Sequence, residues 1–256
     1  MVPKRLVQIV MTFPARSFVF ISRDIWVKIH YKTIFYHPKK RLKKRDRTMS
    51  KEMTGVTLPG APAGMTTLDH LEKAVAVARK HNVESVKLSG AQRLRFYVEP
   101  DQAAALAQDL GGAMPKPIGE KSGAHSVQAC PGTASCKFAM GDALELGAKL
   151  EKAIADCVFP GKVKVAVSGC PRNCAESFVR DIGVFGKKNG WTFVFGGNAG
   201  ARPRIADVIS ENLSDEEVLE QVGKIAQAFA KDGKKMERCA RFIDRLGVEA
   251  VCDICK

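Results

Sequence analysis

Four cysteines constrain this chain more than any other feature. Cys130 and Cys136 enclose five residues in ACPGTASC. Cys170 and Cys174 enclose three in SGCPRNC, 33 residues further on. Both pairs lie in short segments of Gly, Pro, Ser, Thr and Asn, which turn the backbone sharply and can aim N–H groups at a compact anionic object. Four thiolates on two such turns suit an iron–sulfur cluster, and they also suit zinc. Zinc knuckles usually space paired cysteines by about two to four residues, so the spacing of three is ordinary for zinc and the spacing of five is not. An iron–sulfur cube accepts the wider loop. Inert core cysteines would instead sit in apolar helices or strands.

The formal charge of +14 points first to nucleic acid or a membrane surface, but its distribution argues against both. Residues 1–50 hold 13 Lys and Arg against Asp24 and Asp46, whereas residues 51–256 hold 28 basic and 25 acidic side chains. The basicity therefore belongs to a leader, and the remainder is nearly balanced. In the leader, the apolar run from Leu6 to Phe13 stops at Pro14, far short of a membrane span. Lys4 and Arg5 before an apolar stretch are features of a signal peptide, but Arg16, Arg23 and Lys28 soon interrupt it. The segment reads as a basic extension, or as the product of a start codon placed upstream of Met49 or Met53. All eight cysteines follow residue 129 and cluster in pairs, unlike a secreted disulfide framework. Thiolates of this kind fit a reducing cytoplasm.

Along the chain, TTLDHLEKAVAVARKH (66–81) predicts a helix capped by Thr66 or Thr67, with Leu68, Leu71, Val75 and Ala78 on its apolar face. A strand follows in which Arg93, Arg95 and Tyr97 alternate with Leu94, Phe96 and Val98, and then a short helix over 101–110. The Gly/Pro-rich stretch 111–126 marks a boundary. KFAMGDALELGAKLEKAIAD predicts a helix. GKVKVAVSG predicts a strand with Lys162 and Lys164 on one face and Val163, Val165 and Val167 on the other. CAESFVRD predicts a helical turn, and DIGVFGKKNGWTFVFGGNAG a hairpin about Asn189-Gly190. SDEEVLEQVGKIAQAFAK (214–231) opens with a capping box, Ser214 and Glu217. A last helix is expected over roughly 234–246. Beyond it CDIC (Cys252, Cys255) reads as a frayed tail, with Cys157 as a core residue.

Cations gather around the cysteine motifs. Lys162 and Lys164 precede Cys170, Arg93 and Arg95 share a strand face, and Arg172 lies between the second pair of cysteines. Each pair alone fits a solvated strand face. Together with the loop GGNAG, which can donate backbone N–H groups, they fit a partner rich in carboxylates or oxyanions.

ACPGTASC, KVKVAVSGCPRNCAE and DIGVFGKKNGWTFVFGGNAG together resemble the sirohaem and iron–sulfur domain of nitrite and sulfite reductases, over about residues 55–256. The resemblance implies an α+β fold (α/β sandwich-like). After the basic extension, 1–50, it places a ferredoxin-like half-domain over 55–115 and a sirohaem and [4Fe–4S] domain over 120–256. It assigns Cys130, Cys136, Cys170 and Cys174 to the cluster, with Cys174 sharing its sulfur with the sirohaem iron. Lys162, Lys164 and Arg93 are implied to act on the substrate. Arg95, Arg172, Asn173, Gly197 and Asn198 are implied to hold the sirohaem, whose eight carboxylates call for cationic and N–H donors. Ala91 stands where relatives often carry an arginine, and Arg93 is the nearest substitute. The larger enzymes contain two such units and this chain one, so its pocket is expected to be open or completed by a second copy or partner subunit.

The implied reaction is six-electron reduction of sulfite to sulfide, with nitrite to ammonia as the close alternative and an iron–sulfur electron carrier without sirohaem as a different class. A zinc-stabilised nucleic-acid module is disfavoured by the balanced charge of 51–256. No Gly-x-Gly-x-x-Gly follows a strand, so an external donor (ferredoxin, flavodoxin or a reductase subunit) is expected, with no nucleic acid and no membrane insertion.

Overall fold

A computed structural model of the chain describes residues 53–112 and 127–256, all within the contact unit Lys51–Lys256. The expectations for 1–50, and for most of the boundary segment 111–126, lie outside the described residues. Among the described residues no helix is long and apolar enough to cross a membrane.

The first part is a three-stranded antiparallel sheet with two helices. Strands β1 (Thr54–Thr57), β2 (Ser85–Leu88) and β3 (Leu94–Val98) lie in the order β1-β3-β2. Phe96 and Val98 of β3 are buried with Val56 and Leu58, against α1 (Leu68–Lys80) and α2 (Ala103–Asp109). The Thr67 hydroxyl accepts the His70 N–H and caps α1 as expected. The buried face of α1 matches the expected one only in part. Ala78 is covered as expected and Ala74 with it, while Leu68 and Val75 are exposed. Small alanines let the helix lie close on the sheet, and the larger residues ride on its outer flank.

The second part is a five-stranded mixed sheet in the order β4 (Val127–Ala129), β5 (Val165–Ser168), β6 (Ile182–Lys187), β7 (Gly190–Phe195) and β8 (Asp207–Leu213). The first three strands run parallel and the last three antiparallel. Helices α3 (Ala143–Ala153), α4 (Asp215–Asp232), α5 (Cys239–Leu246) and α6 (Val248–Cys255) complete it. One core joins Leu146 and Leu150 of α3 to Val165, Phe193 and Phe195 of the sheet and to Phe229, Phe242 and Val251 of the last three helices. All four residues of β5 are buried, as a parallel strand covered on both faces must be. The architecture is mixed α+β.

Local signals explain the ends of these elements. The β6–β7 hairpin turns between Lys187 and Gly190, where the glycine takes φ +130°. The Ser214–Glu217 capping box opens α4. Strand β5 starts only at Val165, so Lys162 and Lys164 lie ahead of the strand rather than in it. The segment 252–255, expected to fray, is the last turn of α6 with Cys255 buried in the core. Helix α5 covers only the end of the expected 234–246 helix.

Candidate active site

The cysteine loops meet at one edge of the five-stranded sheet. Cys130 directly follows β4, and Cys170 stands two residues beyond β5. These strands are parallel neighbours, with Ala129 opposite Val167. Both loops therefore leave their carboxyl ends, where open α/β sheets commonly seat ligands. The Cys130 N–H donates to Val167 O at 3.1 Å, which extends the ladder by one bond. Gly169 N–H donates to Cys130 Sγ at 3.0 Å and links the first thiol to the second loop.

Glycine makes this meeting possible. A Cβ on Gly169 would stand 2.9 Å from Gly132 Cα and 2.9 Å from Gly141 O. Gly132 has φ +55°, and a Cβ there would lie 2.6 Å from the Ala143 nitrogen. Met140 N–H and Gly141 N–H both donate to Gly169 O, at 2.6 and 3.1 Å. Cys136 N–H reaches back to Gly132 O at 3.0 Å. Three backbone segments are thus in direct contact, with Cys130 Sγ beside them.

Cys130 and Cys170 are buried, Cys136 is half-buried and Cys174 is exposed; all four are free thiols. Between the second pair, Asn173 adopts φ +59°, and its Oδ1 is buried without a partner. Arg172 is exposed and lays its guanidinium 3.9 Å over the Phe138 ring. With Met140, Cys170 and Pro171 these two residues line an open concavity of about 450 Å³.

Among the described residues no group of three His, Cys, Asp or Glu side chains could hold a single metal ion. One ion needs donors that converge on a point, at about 2.3 Å for sulfur. A four-iron cube gathers its four sulfurs on a wider shell around one centre. The N–H donated to a cysteine sulfur and the glycine-tight cradle fit the larger group.

A second collection of charge lies at the amino end of β5. Lys162 is exposed and Lys164 half-buried, with buried Val163 between them. Lys164 N–H donates to Asp181 Oδ2 at 2.9 Å. Asp181 is fully buried and takes a fork from Arg238, with Nε at 3.0 Å and Nη2 at 2.5 Å. Arg180 is buried, paired with Glu176, and donates to Gln128 Oε1 of β4 at 2.7 Å. Its Nε is buried without a partner. Burial lowers the proton affinity of Lys164, and Arg180, Lys162 and Arg238 add to the effect, while Asp181 opposes it.

The family model for the nitrite and sulphite reductase 4Fe-4S domain matches residues 120–255. The chain belongs to this family. The assimilatory-type sulfite reductase of Nitratidesulfovibrio vulgaris is 36% identical over 219 residues, covering 84% of this chain and 95% of that protein. The NAD(P)H nitrite reductase of Bacillus subtilis is 34% identical over 204 residues, 79% of this chain but only 25% of that one. Among solved structures, dissimilatory sulfite reductase I (DsrI) superposes with TM-score 0.67 at 14% identity, over 79% of this chain and 69% of the other. The Mycobacterium tuberculosis NirA protein gives 0.61 at 16%, over 79% and 39%. These likenesses show the fold. The sequence relatives make this chain a member of an oxidoreductase family of the nitrite and sulfite reductase type.

Other residues singled out from the sequence of this family member are engaged elsewhere. Arg93 is buried, and its Nη2 meets Glu151 Oε2 at 2.5 Å. The same oxygen accepts Ala63 N–H at 3.1 Å and Val127 N–H at 3.2 Å, and Gln92 Oε1 accepts Ala129 N–H at 3.0 Å. Gln92 and Arg93 thus tie the first sheet to β4 and α3, one residue from Cys130. Arg95 Nη2 donates to Gly55 O at 2.7 Å, and its Nε is buried and unpaired. Gly197 passes so near the chain after Cys174 that a Cβ would meet Arg180 O at 2.5 Å. Asn198 binds within its own loop, to Arg202 O and Gly200 N–H. The structure thus brings the Cys130 and Cys170 loops together, with Arg172 beside Cys170, and places Lys162, Arg180 and Arg238 close enough to act on Lys164. Arg93 is paired with Glu151.

Sequence reasoning missed Gln128, Glu151, Arg180, Asp181 and Arg238. The one local hint was the charged Arg180-Asp181 step immediately before an apolar strand. Of the remaining cysteines, Cys239 is wholly buried and its thiol is pushed far up by burial. Burial pushes Cys255 up to about 12, and Cys157 in the same direction. Burial disfavours the thiolate at all three.

Proposed function

We propose that the chain reduces sulfite to sulfide by six electrons, with a [4Fe–4S] cluster joined to sirohaem. The observation that carries this reading is the meeting of the two cysteine loops at the carboxyl ends of β4 and β5, closed by Gly132 against Gly169. The assimilatory-type sulfite reductase that this chain covers over 95% of its length favours sulfite. Cys130, Cys136, Cys170 and Cys174 would hold the cluster, with Cys174 shared with sirohaem. When bound, these groups supply electrons one at a time.

The protein supplies charge and protons. Each sulfite oxygen leaves as water after taking up two protons, so the reaction consumes six protons with its six electrons. Lys162 and Lys164 are the candidate cations for the departing oxygens, and Lys164 is half-buried among Arg180 and Arg238. Cations in such a setting stabilise developing oxyanions more strongly than in water. Arg172 and Arg95 are candidates for the sirohaem carboxylates, with N–H donation from the Gly197–Asn198 loop. Arg93 acts through position, by holding the first sheet to the Cys130 strand. In this reading the first sheet is the half-domain and the second the cofactor domain, and the electrons come from a separate donor protein.

Nitrite is the second reading, because the Bacillus subtilis relative bears that name. Anaerobically purified protein should show tetrapyrrole bands on an iron–sulfur background and turn over sulfite faster than nitrite. Iron–sulfur absorption alone, unchanged when sirohaem is supplied during expression, would overturn the enzyme reading in favour of an electron carrier. Faster nitrite turnover would overturn the substrate choice only.

A further inference from the structure

We propose that Asp181 is a positioning residue for the reaction: with Arg238 it fixes the Lys164 main chain at the head of β5 and is the buried counter-charge to the cations gathered there. The proposal rests on the reading of Lys164 as a substrate-facing cation.

Asp181 is a buried residue on which three separated segments converge, two of them on its carboxylate. Its Oδ2 accepts Lys164 N–H at 2.9 Å, just ahead of β5. Its two oxygens take the Arg238 fork, at the start of α5. Its carbonyl accepts Gly196 N–H at 2.9 Å, beyond β7. Ile182 N–H, the next residue, donates to Lys164 O at 3.2 Å. The Lys164 backbone is therefore held from both sides by residues 181 and 182. A charge buried without a partner is costly, so Asp181 and Arg238 stand or fall together.

The charged groups around the Lys164 ammonium come from every neighbouring element. Lys162 lies on its own segment, Arg180 on the crossover before β6, Arg238 at the mouth of α5, and Asp181 is the opposing anion. Glu176 is taken up by Arg180, and Cys239, the next residue after Arg238, is buried and neutral. Asp181 is thus the negative group that offsets the three cations. Removing its charge should make Lys164 release its proton more readily, and removing Arg238 should do the opposite. The half-exposed ammonium can then stay protonated while substrate is bound and still surrender a proton as an oxygen departs.

The test compares D181N with R238Q in the full-length, cofactor-loaded protein. Lys164 is titrated directly by pulsed acetylation across the pH range, read on its peptide by mass spectrometry. The rate of sulfite reduction is followed over the same range. D181N should shift the labelling midpoint and the alkaline limb of the rate to lower pH, and R238Q should shift both to higher pH. General loosening of the fold cannot move the two variants in opposite senses. R238K, which keeps the charge, should return the limb toward that of the unmodified protein.

If D181N does not fold, R238Q is read against R238K: an upward shift that R238K reverses supports the proposal, and one that both variants share is loosening and overturns it. With both D181N and R238Q folded, unmoved midpoints, or shifts in one sense only, overturn the proposal. Shifted midpoints with an unmoved rate limb also overturn it, while sulfite turnover in the unmodified protein leaves the proposed function standing. A fully loaded protein that turns over neither sulfite nor nitrite defeats the proposed function, and this inference with it.

Discussion

The two ends of β5 are built by opposite means. At its carboxyl end, order comes from backbone packed on backbone: Gly132 against Gly169, and Met140 and Gly141 N–H groups on Gly169 O. Few side chains are spent there: Cys130 Sγ takes one N–H, and Arg172 lies over Phe138. At its amino end, order comes from side chains: Asp181 with Arg238, and Arg180 with Glu176 and Gln128. A surface meant to receive a large group must keep its own contacts close to the backbone. A surface meant to present charge must hold that charge against buried counter-charges, or pay its desolvation.

That contrast can be broken by substitution. Asp181→Ala should have the largest effect on stability, because it leaves Arg238 without its partner. Breaking such a pair costs about 4 kcal/mol, roughly a 12 °C fall in Tm for a chain of this size. Calorimetry that found a change under about 1 kcal/mol would mean that Asp181 is no structural anchor. Lys164→Ala should slow sulfite turnover about a hundredfold, about 3 kcal/mol in the barrier, with iron content unchanged. Rates near those of the unmodified protein at saturating sulfite would return Lys164 to the solvated surface.

Gly169→Ala acts at the other end. It should cost about 2 kcal/mol in overpacking and, more tellingly, strip most of the iron and acid-labile sulfide from the purified protein. Retention of full iron would show that the loops can part without losing their ligand set. Gly223→Ala is the small counterpart. Nothing lies within 4 Å of a Cβ built at this position in α4, so the change should stabilise the protein by about 1 kcal/mol and leave iron untouched. A destabilised Gly223→Ala would mean that glycine matters here for reasons other than contact.

The sequence analysis succeeded where a signal and its consequence lie within a few residues. Asn189-Gly190 marked the β6–β7 turn, and Ser214 with Glu217 marked the start of α4. The Gly- and Pro-flanked cysteine motifs pointed to the family. The same reasoning misread part of α1, whose larger apolar residues Leu68 and Val75 face outward while Ala74 and Ala78 are buried. Hydrophobic size does not say which side of a helix a sheet will cover. It misread the last residues too, because Val251 and Cys255 become core only when α6 reaches the other helices and the sheet. Strands β1, β4 and β8 went unnoticed: β1 and β4 have four and three residues, and β8 keeps Val208 exposed and alternates poorly.

By itself, then, the sequence determined the turns and caps and the mixed α+β class, because each rests on neighbouring residues. Only the tertiary structure decided what Arg93 and Asp181 do. Glu151 lies 58 residues from Arg93, and Arg238 lies 57 from Asp181. No local pattern announces such partners; topology alone brings them together. It was likewise the parallel pairing of β4 with β5 that put two distant cysteine motifs at one edge, and gave the paired lysines to the other end of the same strand.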